Sequence, residues 1–213
     1  METNTPLSMV MEKRIRRTME QLENNNMKAY YAATAEDAKE LVKSLLPHGA
    51  TVACGGSMTL EQAGIMELLR SGDYTFLDRQ GLEGDAIGEV YRKAFFADFY
   101  LSSCNAVTEQ GELYNVDGNA NRVAALCFGP KTVICVVGYN KIVKNLEQAK
   151  ARLESTAAPA NTIRLQRKTP CAVTGQCENC HSPDRICCTT VIHQYQRIPN
   201  RIQVILVGEE LGY

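Results

Sequence analysis

Hydrophobic and polar positions along the chain follow two different periods. Short apolar runs at residues 99–104, 132–137 and 202–207 have the length and apolar content of buried strands. Residues 8–25 and 35–46 instead repeat apolar side chains every three or four positions, as amphipathic helices do. Strands that alternate with helices of this length predict an α/β fold, with a mostly parallel sheet that helices cover on both faces.

Capping and turn residues predict where individual helices begin and end. Thr59 has Gln62 three residues later, the spacing of a capping box, so we predict a helix that begins there and runs to Arg70. Asn121 is the predicted N-cap of the helix that precedes the strand at 132–137. Small residues at 155–159 predict a break between two further helices.

Composition and charge narrow the class of protein. The 213 residues are 45% hydrophobic, which is ordinary for a globular protein, and we predict one domain over residues 1–213. With 23 basic and 24 acidic side chains, the chain lacks the charge of a nucleic-acid binder with a broad basic face. No apolar run approaches the roughly 20 residues that span a bilayer, and METNTPLSMVMEKRIRR lacks the apolar core of a secretory signal. We therefore expect a cytoplasmic protein without a membrane span.

Polar loops follow several of the predicted strands. The loop at residues 115–122 combines side-chain amides, a carboxylate, backbone N–H groups at a helix start and the guanidinium of Arg122. This combination suits an anion, and Arg122 could hold a carboxylate or phosphate in bidentate fashion. The Gly-Gly-Ser turn at 55–57 and Lys141 occupy similar positions after other strands. A capped surface turn without a ligand, or a solvated lysine, is the alternative interpretation in each case.

Five cysteines lie within eighteen positions near the C-terminus, in CAVTGQCENCHSPDRICC. The Cys-x2-Cys pair at Cys177 and Cys180, completed by Cys171 and Cys187, offers four thiolates for zinc or for an iron–sulfur cluster. A redox pair and reduced thiols without a ligand remain open. Because the apolar run at 202–207 predicts a closing strand, we interpret residues of about 168–195 as a Cys-rich excursion from the same domain.

Three separated segments carry a resemblance to a known family. SSCNAVTEQGELYNVDGNANRVAALCFGPKTVICVVGYNKIV, GGSMTL and TGQCENCHSPDRIC resemble the LUD-domain family of lactate-utilisation proteins. The resemblance implies a fold similar to ribose-5-phosphate isomerase, glucosamine-6-phosphate isomerase and the CoA transferases. It also implies a small anionic metabolite as ligand, oxidation of lactate to pyruvate as the associated process, and iron–sulfur or oxidoreductase subunits as possible partners.

Residues carried over from the family fall in four loops, which would meet at one rim of the sheet. The ligand-binding candidates are Gly55, Gly56, Ser57, Asn105, Thr108, Asn115, Gly118, Asn121, Arg122, Asn140 and Lys141. Thr108-Glu109-Gln110-Gly111 is similar to the glutamate turn of CoA transferases, so Glu109 is a candidate nucleophile or general base, with Asp117 as a second candidate for proton transfer. The alternative for Glu109 is an exposed turn residue.

Two classes of function follow from these features. In the first, the protein is an enzyme, or a subunit of one, that acts on a small 2-hydroxy or 2-oxo acid with electron transfer. In the second, it is a non-catalytic component that binds a metabolite or docks a partner, and its cysteines hold a structural zinc. A sugar-phosphate isomerase or CoA-transferase activity is a weaker alternative, because a shared fold does not imply a shared reaction.

Overall fold

A computed structural model describes residues 5–213. Its helices are α1 Pro6–Asn24, α2 Ala35–Leu45, α3 Met58–Gln62, α4 Ile65–Leu69, α5 Asp85–Lys93, α6 Asn121–Phe128, α7 Leu146–Arg152, α8 Ala158–Arg164 and α9 Pro170–Thr174. Its strands are β1 Lys28–Ala32, β2 Thr51–Cys54, β3 Thr75–Phe76, β4 Phe99–Ser102, β5 Ala106–Thr108, β6 Leu113–Asp117, β7 Thr132–Gly138, β8 Ile142–Val143, β9 Thr189–His193 and β10 Ile202–Val207. Strands and helices alternate over most of the chain, as the hydrophobic periods predict.

Six strands form the main sheet in the order β1-β10-β7-β4-β2-β3, and every neighbouring pair is parallel. Strand β7 shows why its sequence is apolar almost throughout. Val133 and Val137 pack in the core on one face of the sheet, whereas Ile134 and Val136 pack in the core on the other. A strand buried on both faces has no polar side to alternate with. The predicted α/β class with a mostly parallel sheet is confirmed.

Helices supply the other half of both cores. On one face, α1 contributes Ile15 and Leu22 and α6 contributes Leu126. On the other face, α2, α3 and α4 contribute a second set of buried side chains, including Val42 and Leu60. None of the helices within residues 5–213 is long and apolar enough to cross a membrane.

A second sheet of four strands, in the order β8-β5-β6-β9, was not predicted. Strand β9 lies inside the Cys-rich excursion and pairs antiparallel with β6, so that Leu113 faces His193 and Asp117 faces Thr189. These partners are far apart in the sequence, and a hydrophobic period does not indicate which strand a segment will pair with. The pairing fixes part of the excursion against the loop that carries Arg122.

Several predicted helix ends are wrong by a few residues. Ser57 caps α3 by accepting a hydrogen bond from the N–H of Leu60, and Thr59 lies inside that helix. Gly64, with φ of 66°, then separates α3 from α4. Asn121 is the first residue of α6 and not its N-cap. The predicted break at 155–159 is also wrong, because the π-helical turn Leu153–Ala157 joins α7 to α8.

Candidate functional site

A polar cleft of about 650 Å³ opens where the main-sheet strands β2, β3 and β4 end. Segments that follow β6, β7 and β10 complete its walls. This is the edge at which parallel α/β sheets bind ligands. Nine of the residues predicted from the sequence line the cleft: Gly55, Gly56, Ser57, Asn105, Asp117, Gly118, Asn121, Arg122 and Lys141. Four predicted residues do not line it: Thr108, Glu109, Asn115 and Asn140.

Arg122 is the centre of a closed set of hydrogen bonds that we call the Arg122 hub. A guanidinium has five N–H donors, and all five are used within the protein. The acceptors are Asp117 Oδ1 (2.9 Å), Asn115 Oδ1 (2.6 Å), Asn105 Oδ1 (3.0 Å), and the carbonyl oxygens of Ser103 (3.0 Å) and Val116 (3.1 Å). The predicted bidentate grip of Arg122 on a ligand does not fit this geometry. Arg122 instead ties the ends of β4 and β6 together.

Asp117 belongs to the same hub. Its Oδ1 accepts from the Nε of Arg122, and its Oδ2 accepts from the backbone N–H of Val123 at 2.9 Å. The carboxylate therefore caps the start of α6, where the predicted cap Asn121 does not act. Its backbone oxygen also accepts from the N–H of Cys188 at 2.9 Å. The structure gives Asp117 a positioning role, and its part in proton transfer stays a prediction.

Glu109 and Thr108 lie away from the cleft. The carboxylate of Glu109 faces α1, with Oε1 2.7 Å from Arg14 Nε and Oε2 3.6 Å from Arg17 Nη2. Thr108 is buried and donates to Oε2 of Glu112 at 3.0 Å. Glu109 does not line the cleft, and its role as a nucleophile or general base stays a prediction. It is a turn residue that joins α1 to the second sheet.

Asn115 and Asn140 do not line the cleft but hydrogen-bond to residues that do, or to their neighbours. Asn115 is fully buried in the Arg122 hub. Asn140 donates through Nδ2 to the carbonyl of Gly212 at 3.1 Å and accepts at Oδ1 from the N–H of Leu211 at 3.1 Å. These two bonds hold the segment 211–213 against the end of β7, and Tyr213 thereby joins the lining of the cleft. Both asparagines position other residues, and their contact with a ligand stays a prediction.

Lys141 occupies a different environment, which we call the Lys141 pocket. Its side chain is buried, with 3% of the residue exposed, and Nζ donates to Thr59 Oγ1 at 2.8 Å and to Ser103 Oγ at 3.1 Å. Within residues 5–213 no carboxylate oxygen lies within 4.0 Å of Nζ. Burial, together with the nearby charge of Arg152, lowers the pKa of Lys141 from 10.5 to about 7. Near neutral pH, a large share of these amines is uncharged.

Basic side chains surround the cleft, and five of them were not singled out from the sequence. Seven basic residues line it: Arg70, Arg79, Arg122, Lys141, Arg164, Arg167 and Arg185. Four acidic residues line it: Glu61, Asp78, Asp117 and Asp184. The arginines come from separate segments, so no local spacing marks them as a group. A ligand in this cleft meets an excess of positive charge.

The two glycines of the 55–57 turn make room for two of these arginines. A Cβ on Gly55 would lie 3.0 Å from Cδ of Arg122, and a Cβ on Gly56 would lie 2.7 Å from Nη2 of Arg79. Arg79 in turn donates from Nη1 to the hydroxyl of Tyr91 at 3.0 Å. The glycines were predicted as ligand contacts. The structure shows that they also allow guanidinium groups to lie against the backbone at the rim of the cleft.

Comparison with known proteins identifies the family. A family model for the LUD domain matches residues 15–207. The chain belongs to the LUD-domain family. This family is associated with lactate utilisation.

A solved structure supports the fold of this LUD-domain protein. The crystal structure of a DUF162 family protein from Deinococcus radiodurans is similar, with a TM-score of 0.54 and 16% sequence identity. The match covers 92% of this chain and 98% of that one. At this identity the likeness shows the fold alone. A search of curated proteins returned no match.

The Cys-rich excursion of this LUD-domain protein forms one wall of the cleft. Residues 183–186 line the cavity, and a Cβ on Gly118 would lie 3.2 Å from Cα of Ile186. Arg185 donates to the carbonyl oxygens of Cys180 and Cys187 at 2.9 Å each, and its Nη2 lies 3.5 Å from the Cys187 sulfur. The excursion therefore lies beside the Arg122 hub.

The predicted metal ligands are not gathered into one group. Cys171 is buried in α9, and its sulfur lies 3.3 Å from Thr169 Oγ1 and 3.6 Å from Thr162 Oγ1. In the part of the chain that the structure describes, no three Cys, His, Asp or Glu side chains lie close enough to hold a metal ion. Cys171 does not fit a shared site in this arrangement. The zinc or iron–sulfur cofactor stays a prediction.

Proposed function

We propose that this LUD-domain protein binds a small anionic 2-hydroxy or 2-oxo acid in the cleft and takes part in lactate utilisation, as an enzyme or as a subunit of one. The observation that carries the proposal is the local charge. Basic side chains outnumber acidic ones seven to four around the cleft, although the whole chain has a net charge of −1. A concave site of one sign of charge attracts a ligand of the other sign.

Two of the acidic residues in the cleft are already paired with arginines, so few carboxylates are left to neutralise the other basic side chains. Asp117 pairs with Arg122 at 2.7 Å, and Asp78 pairs with Arg70 at 2.7 Å. Two of the four carboxylates are thus already matched. The basic groups that remain are Arg79, Lys141, Arg164, Arg167 and Arg185, and the acidic groups that remain are Glu61 and Asp184. An anionic ligand would compensate the excess.

Arg79 is the residue best placed to hold the ligand carboxylate. Its Nη1 is fixed by Tyr91, and its Nη2 has no protein acceptor within residues 5–213 and lies over the backbone of Gly56 at the rim. A planar guanidinium fork matches the two oxygens of a carboxylate. Arg79 would therefore take the part that the sequence suggested for Arg122.

The electrons released when a 2-hydroxy acid is oxidised need an acceptor, and we propose that an iron–sulfur or other oxidoreductase partner receives them. The family's association with lactate utilisation supports this. Cys177, Cys180 and Cys187 lie in the excursion that borders the cleft, and a zinc ion or iron–sulfur cluster on these cysteines stays a prediction. Metal content and the visible absorption spectrum of anaerobically purified protein would distinguish iron–sulfur, zinc and free thiols.

Two observations bear on the alternatives. The CoA-transferase reaction needs a glutamate at the ligand, and Glu109 is instead paired with α1. The cavity of about 650 Å³ falls in the range of sites for drug-sized ligands, so 2-hydroxy acids with longer chains belong among the ligands tested. A non-catalytic metabolite-binding component would use the same cleft without turnover.

Calorimetric titration of the purified protein tests the proposal. L-Lactate, pyruvate and longer 2-hydroxy and 2-oxo acids are compared with lactamide, which lacks the negative charge. We expect binding of one or more of the acids and none of lactamide. Arg79→Gln should weaken binding about tenfold or more, because a hydrogen bond to a charged group contributes about 1.5–3 kcal/mol.

Arg16→Gln is the matched control, because Arg16 is exposed on α1 and pairs with Glu12 in the same helix. It should bind the acids as the wild type does. Equal affinity for the acids and for lactamide would overturn the proposal, and so would the absence of binding by every acid in the series. If Arg79→Gln binds the acids as tightly as the wild type does, the proposed contact between Arg79 and the ligand carboxylate is wrong.

A further inference from the structure

Lys141 is a buried amine that has no ionic partner among residues 5–213, and it belongs to the lining of a cleft rich in basic side chains. Its Nζ donates to two hydroxyl groups, Thr59 Oγ1 and Ser103 Oγ. Buried lysines are ordinarily paired with a carboxylate, because an unpaired buried charge is costly. An amine held by hydroxyls alone can instead exist in its neutral form.

The side chain of Lys141 borders both the cleft and the C-terminal segment 211–213. Lys141, Ser103 and Tyr213 all line the cleft. The backbone at Gly212 lies so close that a Cβ there would be 3.1 Å from Nζ and 2.6 Å from Thr59 Oγ1. The segment 211–213 thus packs against one side of the amine, and the cleft lies on another.

Charged and titratable neighbours favour the neutral amine. Burial has the largest effect on the pKa of Lys141 and lowers it, and the positive charges of Arg152 and Arg122 lower it further. Only Cys104 acts in the opposite direction. A lysine whose pKa lies near 7 is a competent nucleophile at neutral pH, whereas an exposed lysine near 10.5 is almost entirely protonated.

We propose that Lys141 condenses with the carbonyl carbon of a 2-oxo acid bound in the cleft and forms an imine. This inference rests on the proposed function, since it requires a 2-oxo acid as ligand. A bond forms between Nζ and C2 of the acid, and the carbonyl C–O bond breaks. The two hydrogens of the amine leave with the oxygen as water, so no oxidant or reductant is needed. The hydroxyls of Ser103 and Thr59 lie close enough to Nζ to transfer these protons.

An imine at Lys141 would activate the hydrogens on C3 of the bound 2-oxo acid. An iminium group draws electrons from C2 more strongly than a carbonyl does, so the hydrogens on C3 become more acidic. Pyruvate incubated with the protein in deuterated water should therefore exchange its methyl hydrogens, which proton NMR detects. A lysine that only positioned the ligand would not produce this exchange.

Reductive trapping tests the imine directly. Full-length protein is incubated with pyruvate and cyanoborohydride, and its intact mass is measured. We expect an increase equal to one pyruvic acid less one oxygen, and peptide mapping should place the added mass on Lys141. Lys141→Arg should lose the adduct, because a guanidinium keeps the charge but does not form an imine. Lys144→Arg is the matched control, since Lys144 is exposed three residues away, and it should keep the adduct.

The pH dependence adds a second readout, independent of any variant. Trapping at Lys141 should rise with pH around a midpoint near 7, whereas trapping at exposed lysines rises only toward 10.5. Mapping the wild-type adduct decides the question even if Lys141→Arg fails to fold. Excess L-lactate should protect Lys141, because it occupies the same cleft.

The outcomes separate this inference from the function on which it rests. If calorimetry shows that pyruvate binds but no adduct forms, or that the adduct lies on another lysine, the imine is overturned and the proposed function stands. If neither pyruvate nor any other acid in the series binds, the proposed function fails and the imine fails with it.

Discussion

The Arg122 hub and the Lys141 pocket lie on the same cleft, and they differ in how the basic group is accommodated. Arg122 is partly buried and Lys141 is buried. Ser103 belongs to both, since its carbonyl oxygen accepts from Arg122 and its hydroxyl accepts from Lys141. Every donor of Arg122 has an oxygen acceptor, one of them a carboxylate. Lys141 has two hydroxyls and no carboxylate within 4.0 Å among residues 5–213.

The difference follows from the chemistry of the two side chains. Arginine does not lose its charge in proteins, so a buried arginine requires acceptors around its whole fork. Lysine can lose a proton, so burial without a counter-ion lowers its pKa and favours the neutral form. The hub therefore connects the strand ends at the wall of the cleft, and the Lys141 pocket holds an amine whose pKa burial lowers to about 7. This comparison leads to four predictions, given from the largest expected effect to the smallest.

Replacing Arg122 should have the largest effect on stability. Arg122→Met would leave Asp117 and the amide oxygens of Asn105 and Asn115 without their buried donor, which costs about 3–5 kcal/mol. Urea unfolding monitored by circular dichroism measures this loss. Arg16→Met, in an exposed pair on α1, should change the free energy of unfolding by about 1 kcal/mol or less. Similar losses for the two variants would contradict the conclusion that the hydrogen bonds of Arg122 stabilise the fold more than an exposed ion pair does.

Lys141→Met should change how stability depends on pH. The pKa of Lys141 in the folded protein, about 7, lies below its value of 10.5 in the unfolded chain. Between these two values the unfolded state binds more protons, so the wild type gains stability as the pH rises, by at most about 1.4 kcal/mol for each pH unit. Below pH 7 both states are protonated and the cost of burying the charge is constant.

Unfolding of both proteins at pH 7 and at pH 10 measures this effect. The Met variant lacks the titrating amine, so it should be more stable than the wild type at pH 7, and the gap should narrow by pH 10. A constant difference between the two proteins would mean that Lys141 keeps an ordinary pKa, which would weaken the comparison with Arg122.

The two glycines of the rim should respond unequally to alanine. Gly55→Ala brings a Cβ within 3.0 Å of Arg122 Cδ, and that side chain is fixed by its hydrogen bonds, so we expect a loss of about 1–3 kcal/mol. Gly56→Ala meets the free end of Arg79, which can move, so stability should fall by about 1 kcal/mol or less. For Gly56→Ala we expect a clearer effect on the affinity for the 2-hydroxy or 2-oxo acid than on stability, because Arg79 is the proposed carboxylate contact. Equal losses of stability would show that Arg122 is no more fixed than Arg79.

Glu109→Gln should have the smallest effect. The carboxylate is part of a half-exposed network with Arg14 and Arg17, so the loss of its charge should cost about 1 kcal/mol or less. Binding of the acid and trapping of pyruvate should both be unchanged, because Glu109 does not line the cleft. Loss of either one would restore Glu109 as a catalytic candidate and would sharply reduce the importance of Lys141.

Much of the fold and part of the site were predictable from local patterns. The apolar runs predicted β4, β7 and β10, and the helical periods predicted α1 and α2. From the family resemblance, four loops were predicted to meet at one rim of the sheet, and most of the candidate residues in them do line the cleft. Local patterns did not indicate what lies opposite a side chain, as with Glu109, whose carboxylate faces Arg14 on α1.

The sequence by itself determined the α/β class, the family and the polar rim of the sheet, because periodicity, turn residues and characteristic segments are properties of neighbouring positions. Only the tertiary structure decided that Arg122 is fully hydrogen-bonded, that Cys171 lies beside two threonine hydroxyls and that Lys141 is buried between hydroxyls. Thr59 and Lys141 are 82 positions apart, and β6 pairs with a strand more than 70 residues later. Burial and charge state depend on such distant neighbours, and no local pattern contains them.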